Sequence, residues 1–520
     1  MKKKKFKARQ PTNININKNI LNTGYSEGGA SLKKTSLKSY NPVKSSAKSD
    51  IDANLAVLRN RSSDMYLNAP LASSAINTNR TNTIGAGLSL SPKIKYKILG
   101  LSAKEATEWQ TRTKEEFELW ANSKFCDLYN RNNFYDLQDI AYVAQLVDGD
   151  SFAAFHYRKT FKAMPYRLRI QLFEGTRVCN PNLTQIFGIG SSMVETKNED
   201  NGNRIISGVE IDNDGAVVAY HVANRVPYDP TDNRIISWTR VEAFGRNSHM
   251  PNILQIAHDE RTEQYRGVPY LAPVITELKQ ITRYTEAELA SAVIKSYFSV
   301  FLKQTMPGGD LSELMGNSFN DEDIDPSLYK LGVGTIQLLP PGYDVTSMDP
   351  GRSLSTFEPF TTQLIRQIAG AIELPPELLL KTFNASYSAS RAALLQAWTM
   401  FKMRRKWFAR DFCQPVYEAW LSEAVAIGRI KAEGFFSDPL IRRAWCNANW
   451  YGPVMGMIDP VKDITGAHLR RIYGFSTAER ETAEMMGENF DEVVEQLALE
   501  KSAYERANLN IEKVTGTKNE

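Results

Sequence analysis

VTSMDPGRSLSTFEPFTTQLIRQIAGAIELPPELLLKTFNASYSASRAALLQAW, residues 345–398, carries two amphipathic helices and the turn between them. Phe357, Phe360, Leu364, Ile368 and Ile372 recur at helical spacing, which predicts a helix over about 354–374 with one apolar face. Pro375-Pro376 removes two backbone donors and ends it. A further helix begins near Ser390 and stacks Leu394, Trp398, Phe401, Phe408 and Phe412 before it meets Pro415. The pattern continues through Tyr417, Trp420, Ala424 and Ile427 to Gly428, so this proline predicts a kink rather than a stop.

Upstream, another long helix opens at Pro269 or Pro273 and runs to near Lys303, about 45 Å at 1.5 Å per residue. An acidic insert punctuated by Gly and Pro (307–353) separates it from the helix at 354, and its GTIQLLPPGYDVTSM reads as a strand pair. Further upstream the period falls to two. Residues 166–173, 205–211, 216–222 and 234–244 read as strands, with the DNDG of 212–215 as a hairpin turn. Before them lie helices at AKEATEWQTRTKEEFELWANSK, capped by Ser102 with Trp109, Phe117 and Trp120 on its buried side, and at YDLQDIAYVAQLVDGD. The reading is an α+β chain, mostly helical, with a mainly antiparallel sheet.

The 520 residues carry a net charge of +4, but residues 1–50 hold twelve Lys/Arg against Glu27 and Asp50. That local +10 leaves 4 − 10 = −6 for the rest. An acidic body disfavours general DNA binding, whose affinity comes largely from phosphate neutralisation. The Lys/Asn/Ser/Gly composition of 1–50 predicts a flexible basic arm, either disordered or touching DNA or scaffold. The opening lacks a signal peptide's apolar core, and no run of eighteen apolar residues follows, so no membrane association is expected. Cys126, Cys179, Cys413 and Cys446 show neither disulfide nor zinc spacing, and free thiols in a reducing cytoplasm fit them best.

Catalysis has no foothold in the motifs. No GxxxxGK[ST], GxSxG or HExxH occurs, and the five histidines do not cluster with metal-ligating residues. GIGSS at 188–192 lacks the rest of a dinucleotide fingerprint. Asp321, Asp323 and Asp325 suggest a calcium loop, but Pro326 and Gly332 stand where glycine and glutamate are needed. No cofactor and no metal are expected, and Trp445, Trp450 and Tyr451 read as packing residues of a compact turn rather than a base-stacking platform.

The opening stretch resembles the most characteristic segment of lambda-family phage portal proteins. RVCNP (177–181), GVEIDNDGAVVAYHV (208–222), RGVPYLAPVITELKQITRYTEAELASAVIKSYF (266–298) and RAWCNANWYGPVMGMIDPVKD (443–463) are similar to that family in the same order. The resemblance implies a portal fold: flexible arm 1–50, α+β wing 51–268, first stem helix 269–305, clip 306–353, second stem helix 354–374, tunnel loop 375–391, long kinked wing helix 392–428, and helical crown 429–520. It implies a structural, non-enzymatic protein that forms a dodecameric ring at a unique capsid vertex, the channel for DNA packaging and ejection. Implied partners are the terminase large subunit, major capsid and scaffolding proteins, head–tail connector proteins, and double-stranded DNA passing without sequence specificity. The implied location is the virion, with the host cytoplasm during assembly. Lys381, Asn384, Tyr387 and Arg391 are then the DNA-facing candidates of the tunnel loop. Arg391 could equally pair with Glu373 or Glu377, and Tyr387 could pack on a neighbouring subunit. The alternative is a DNA translocase or nuclease subunit of the packaging machinery.

Overall fold

A computed structural model describes residues 29–32, 34–181, 194–227, 229–296, 300–304, 343–347, 357–383, 386–457 and 459–509. The GIGSS and Asp321–Asp325 motifs lie outside them.

The first part of the described chain carries four longer helices, α1 (Leu55–Asn68), α2 (Pro70–Thr83), α3 (Ala103–Ala121) and α4 (Phe134–Asp148), besides short helical turns at Lys48–Asp52 and Tyr96–Leu99. Ser102 caps α3 as expected, in a reciprocal box with Glu105, and Asn133 with Asp136 does the same for α4. A short strand β1 (Ser89–Pro92) lies between α2 and α3. The sheets follow: β2 (Asp150–Tyr157), β3 (Leu168–Glu174), β4 (Glu195–Lys197), β5 (Arg204–Ile206), β6 (Val209–Ile211), β7 (Val217–Ala223), β8 (Trp238–Glu242) and β9 (Ile253–Ala257). They make two antiparallel sheets, β3-β2-β9 and the meander β4-β5-β6-β7-β8.

The DNDG turn joins β6 to β7, with Gly215 at φ +87°. The run 205–211, expected as one strand, is two. Ser207 (φ +47°) and Gly208 (φ +87°) fold it into a two-residue hairpin of the kind that needs positive φ at both central positions. Strands β2 and β9 went unread because their inward and outward faces are both largely covered, which erases alternation.

α5 (Ile275–Ser296) is the first long helix. It does not reach Lys303: β10 (Val300–Gln304) pairs with β11 (Tyr343–Ser347), Val300 opposite Ser347 and Gln304 opposite Tyr343. The β-branched and aromatic Val300-Phe301 favour a strand once a partner is available, and that partner is the strand at 343–347 rather than a neighbour inside the insert. α6 (Phe357–Ala371), the short α7 (Pro376–Leu380) and α8 (Tyr387–Phe408) follow. α8 continues through one wide π-turn, Ala409–Cys413, into α9 (Gln414–Ala426). The expected deviation at Pro415 is thus made in the turn just before it. Gly428 closes α9 at φ +75°. α10 (Pro439–Cys446), β12 (Ala448–Tyr451), α11 (Pro460–Ile472), α12 (Ala478–Met485) and α13 (Phe490–Arg506) complete the chain, and β12 pairs with β1.

The main core centres on Phe117. Its ring meets Phe134, Tyr417, Trp420 and Trp450 edge-on at centroid distances of 5.7, 5.8, 5.1 and 6.2 Å. Trp450 is therefore a packing residue. Trp445 is another, lying 4.9 Å from Trp109 and donating its indole N–H to the Glu433 carbonyl. Cys126, Cys413 and Cys446 are free and buried, and burial pushes their thiols up. The end of the basic segment is tied to the body: Ala47 and Ile51 are buried, Lys48 pairs with Glu195 and Asp50 with Arg261, both at 2.5 Å.

One buried ion cluster joins α1, β2 and the chain leading to α5. Asp150 is fully buried and takes Arg59 at 2.6 Å and Arg266 at 2.6 and 3.0 Å, with the Gly267 N–H donating at 3.1 Å. Arg266 also donates to the carbonyls of Val178, Ser207 and Gly175, while Arg59 reaches those of Asp148 and Gly175. Burial alone would raise the Asp150 carboxyl, but the two guanidiniums outweigh it and hold it low. The two backbone segments pass so closely that a Cβ on Gly267 would sit 1.9 Å from the Gly149 carbonyl oxygen.

Asp150→Ala should therefore cost about 3–5 kcal/mol, because it strands two buried cations, and Gly267→Ala should fail to give soluble folded protein; denaturation midpoints and soluble yield check both. Asp148 has the opposite electrostatics: burial raises it to about 7. The folded chain then binds a proton that the unfolded chain takes up only near 3.8, so this group makes stability rise as pH falls from 8 towards 5. Asp148→Asn should raise the melting temperature at pH 8 and flatten its slope over that window, as measured by calorimetry.

Candidate functional site

The connection from α6 to α8 is built from short-range constraints. After α6 the Leu374 N–H returns to the Ala369 carbonyl, while Glu373 adopts φ +58° and Ile372 and Leu374 are buried. Pro375 then holds an extended angle and Pro376 opens α7, where a missing N–H costs nothing. Leu379 is buried. Lys381, at φ +55°, closes the turn, and Thr382 N–H bonds to the Glu377 carbonyl. Two non-glycine residues in the left-handed region cost roughly 1–2 kcal/mol each, so surrounding contacts must impose this path.

Those contacts come from α2 and from Tyr270. Ser74 donates to the Leu379 carbonyl at 2.6 Å, and the Tyr270 hydroxyl donates to the Ile372 carbonyl while accepting from Asn79 at 3.0 Å. Arg404 on α8 lies over the Tyr270 ring, 4.5 Å from its centroid. Burial pushes the Tyr270 phenol well above its usual range, which keeps it a neutral donor.

The four sequence candidates separate in this frame. Lys381 is exposed at the left-handed end of α7. Asn384 lies outside the described residues. Tyr387 is the first residue of α8, whose start is capped by Ser386. Arg391, one turn further, makes a 2.6 Å ion pair with Asp463 on α11 and so ties the start of α8 to the C-terminal helices. Glu373, one of the two partners considered for Arg391, lies instead 3.9 Å from Arg404. Sequence reasoning missed Ser74, Asn79 and Tyr270. Tyr270 stands beside Pro269, where the helix start was sought, and that was its only local signal. Among the described residues no group of three or more His, Cys, Asp or Glu could hold a metal ion, and no helix is long and apolar enough to cross a membrane.

Residues 33–405 match the family model described as phage portal protein, lambda family. The chain belongs to that family, whose members are structural capsid components and not enzymes. The portal protein of Escherichia phage N15 is 24% identical over 518 residues, covering 94% of this chain and 91% of that one. Portal protein B of Escherichia phage lambda is 22% identical over 495 residues, covering 91% and 88%. Among solved structures, a chain from the neck of a native GTA particle computed with C12 symmetry aligns with a TM-score of 0.44 at 12% identity, covering 83% of this chain and 92% of that one. A chain from the neck of an empty GTA particle computed with C6 symmetry gives 0.45 at 13% identity, with the same coverage.

Tyr270→Phe removes the donor to Ile372 and the acceptor of Asn79 in one step. It should cost about 1–3 kcal/mol and speed proteolytic cleavage between 380 and 386, whereas Tyr284→Phe, on the neighbouring helix, should not accelerate cleavage there. Limited proteolysis with mass spectrometry reads the difference.

Proposed function

We propose that this chain forms a closed dodecameric ring at a unique capsid vertex, whose axial channel passes double-stranded DNA during packaging and ejection. The observation that carries the reading is apolar surface on the long helices that the monomer leaves uncovered. Leu289 and Val293 on α5 and Phe360 on α6 are exposed, although the same helices meet through Tyr284, 5.3 Å from both Phe357 and Phe360. Val461, Ile464 and Ile472 on α11, with Tyr473 and Phe475 beyond it, are also exposed. Apolar surface of this extent on a soluble subunit calls for a neighbour, and a heterologous contact that closes on itself supplies one on both sides.

The subunit number and the roles of the segments are inferred by likeness to the family. α5 and α6 are the stem, the segment between them the clip that meets the terminase large subunit and head–tail connector proteins, and the C-terminal helices the crown inside the head. Major capsid and scaffolding proteins surround the ring, which assembles in the host cytoplasm and stays in the virion. Lys381, Asn384, Tyr387 and Arg391 are the DNA-facing set of the tunnel loop. A body charge of −6 suits a conduit, since dense cationic contact would brake a duplex presenting a phosphate every 1.7 Å or so.

Leu289→Asp with Val293→Asp should abolish the ring while leaving a folded monomer, as read by native mass spectrometry and circular dichroism. Lys381→Ala with Arg391→Ala should leave rings intact and change the length or retention of packaged DNA, with Asp463→Ala as the control for the ion pair alone. Unchanged packaging would remove these residues from DNA contact. ATP turnover by the purified chain would overturn the portal reading in favour of a motor subunit.

A further inference from the structure

The connection between β2 and β3, residues 158–167, is a projecting hairpin with two unlike sides. Its returning strand is locked into the protein: Met164 and Tyr166 are buried, Tyr166 bonds Glu116 at 2.7 Å and packs on Trp420, and the backbone N–H groups of Arg167 and Leu168 are held by the Glu423 carboxylate. Its outgoing strand is bare, with Tyr157, Arg158, Lys159, Thr160, Phe161 and Lys162 all exposed. The loop 124–131 lies beside it. Phe125 meets Phe161 edge-on at 4.8 Å, Leu128 N–H bonds the Ile170 carbonyl, and Gln171 donates to the Tyr129 hydroxyl at 2.6 Å.

These two segments expose six cations: Lys124, Arg131, Arg158, Lys159, Lys162 and Arg167. None of their side chains forms an ion pair or hydrogen bond with a described residue, whereas exposed arginines elsewhere do, as Arg234 with Asp232, Arg246 with Glu242 and Arg410 with Asp411. Within the two segments the one carboxylate, Asp127, is buried and accepts from three backbone N–H groups, so it neutralises nothing at the surface. On an acidic body, six exposed cations flanked by one carboxylate, Glu423 at the base of the hairpin, and beside the half-exposed rings of Tyr129, Tyr157 and Phe161 are a local exception.

We propose that this hairpin and its flanking loop bind the sugar-phosphate backbone of duplex DNA without sequence preference, at a site separate from the loop of residues 375–391. Cations spread along a turn whose returning arm is fixed to the body can contact successive phosphates, which carry no sequence information. The proposal does not depend on ring closure.

The test uses the full-length protein as purified and a random-sequence 30-base-pair duplex, with binding measured by fluorescence anisotropy across a salt series. Arg158→Gln/Lys159→Gln/Lys162→Gln should weaken binding at least tenfold near 0.1 M salt, and the slope of log K against log salt should fall by about two to three, near 0.9 per lost phosphate contact. All three positions are exposed, so the melting temperature should stay within a degree of wild type; the single variants Lys159→Gln and Lys162→Gln, each lowering the slope by about one, cover any triple variant that does not fold. Binding by the basic arm is common to every protein compared. An unchanged slope, no measurable binding by wild type, or a drop only in Lys381→Ala/Arg391→Ala would overturn the proposal. Tighter binding of polyglutamate than of the duplex at equal charge, lost in the same triple variant, would also overturn it and would assign the surface to an acidic protein.

Discussion

The buried carboxylate of Asp150 is the point on which the rest of the architecture hangs. It draws Arg59 from α1 and Arg266 from the chain before α5 onto one side chain at the start of β2. The spare donors of those arginines go to the carbonyls of Gly175, Val178 and Ser207, in two further turns. Hydrophobic burial alone would tolerate many relative placements of these segments. A fully buried ion pair tolerates few, because any displacement leaves a charge without its partner in a medium of low dielectric. The abutting Gly149 and Gly267 backbones belong to the same constraint, since no side chain fits between them.

That close approach sets where the first long helix departs, since Pro269 and Tyr270 follow Gly267 directly. Tyr270 carries the constraint onward. Its hydroxyl holds the end of α6 while Ser74 holds the end of α7, and the path between them includes the left-handed residues Glu373 and Lys381. Arg391, paired with Asp463, then links the far side of the loop to the C-terminal helices. A chain of short polar contacts thus connects the β-sheet region, the paired long helices and the helical C-terminus. A segment meant to face moving DNA would need such backing on its inner side while leaving Lys381 exposed.

Much of this could be read in the sequence, for identifiable reasons. Helical spacing exposed α6 and the α8–α9 rod, Pro415 announced the deviation that the π-turn makes, and DNDG marked the β6–β7 turn. What escaped reading depends on partners distant along the chain. β1 and β12 are four residues each and exist because they pair, Leu90 opposite Trp450. β10 became a strand because residues 343–347 lie alongside it, whereas local propensity extended the helix instead. The Arg391–Asp463 pair and the Asp150 cluster join residues tens to hundreds of positions apart, and no local pattern encodes such a meeting. The loop residues themselves were named from family likeness. Of the four, the structure defines the surroundings of Lys381 and Arg391.

Electron cryomicroscopy of the purified oligomer would show whether subunits close around an axial channel with the α7–α8 loop at its wall. Rings of about twelve subunits are expected, with an open axis and density for Lys381 at the narrowest part of the opening. A closed particle without an axial passage, or a ring with Lys381 on its outer rim, would contradict that arrangement.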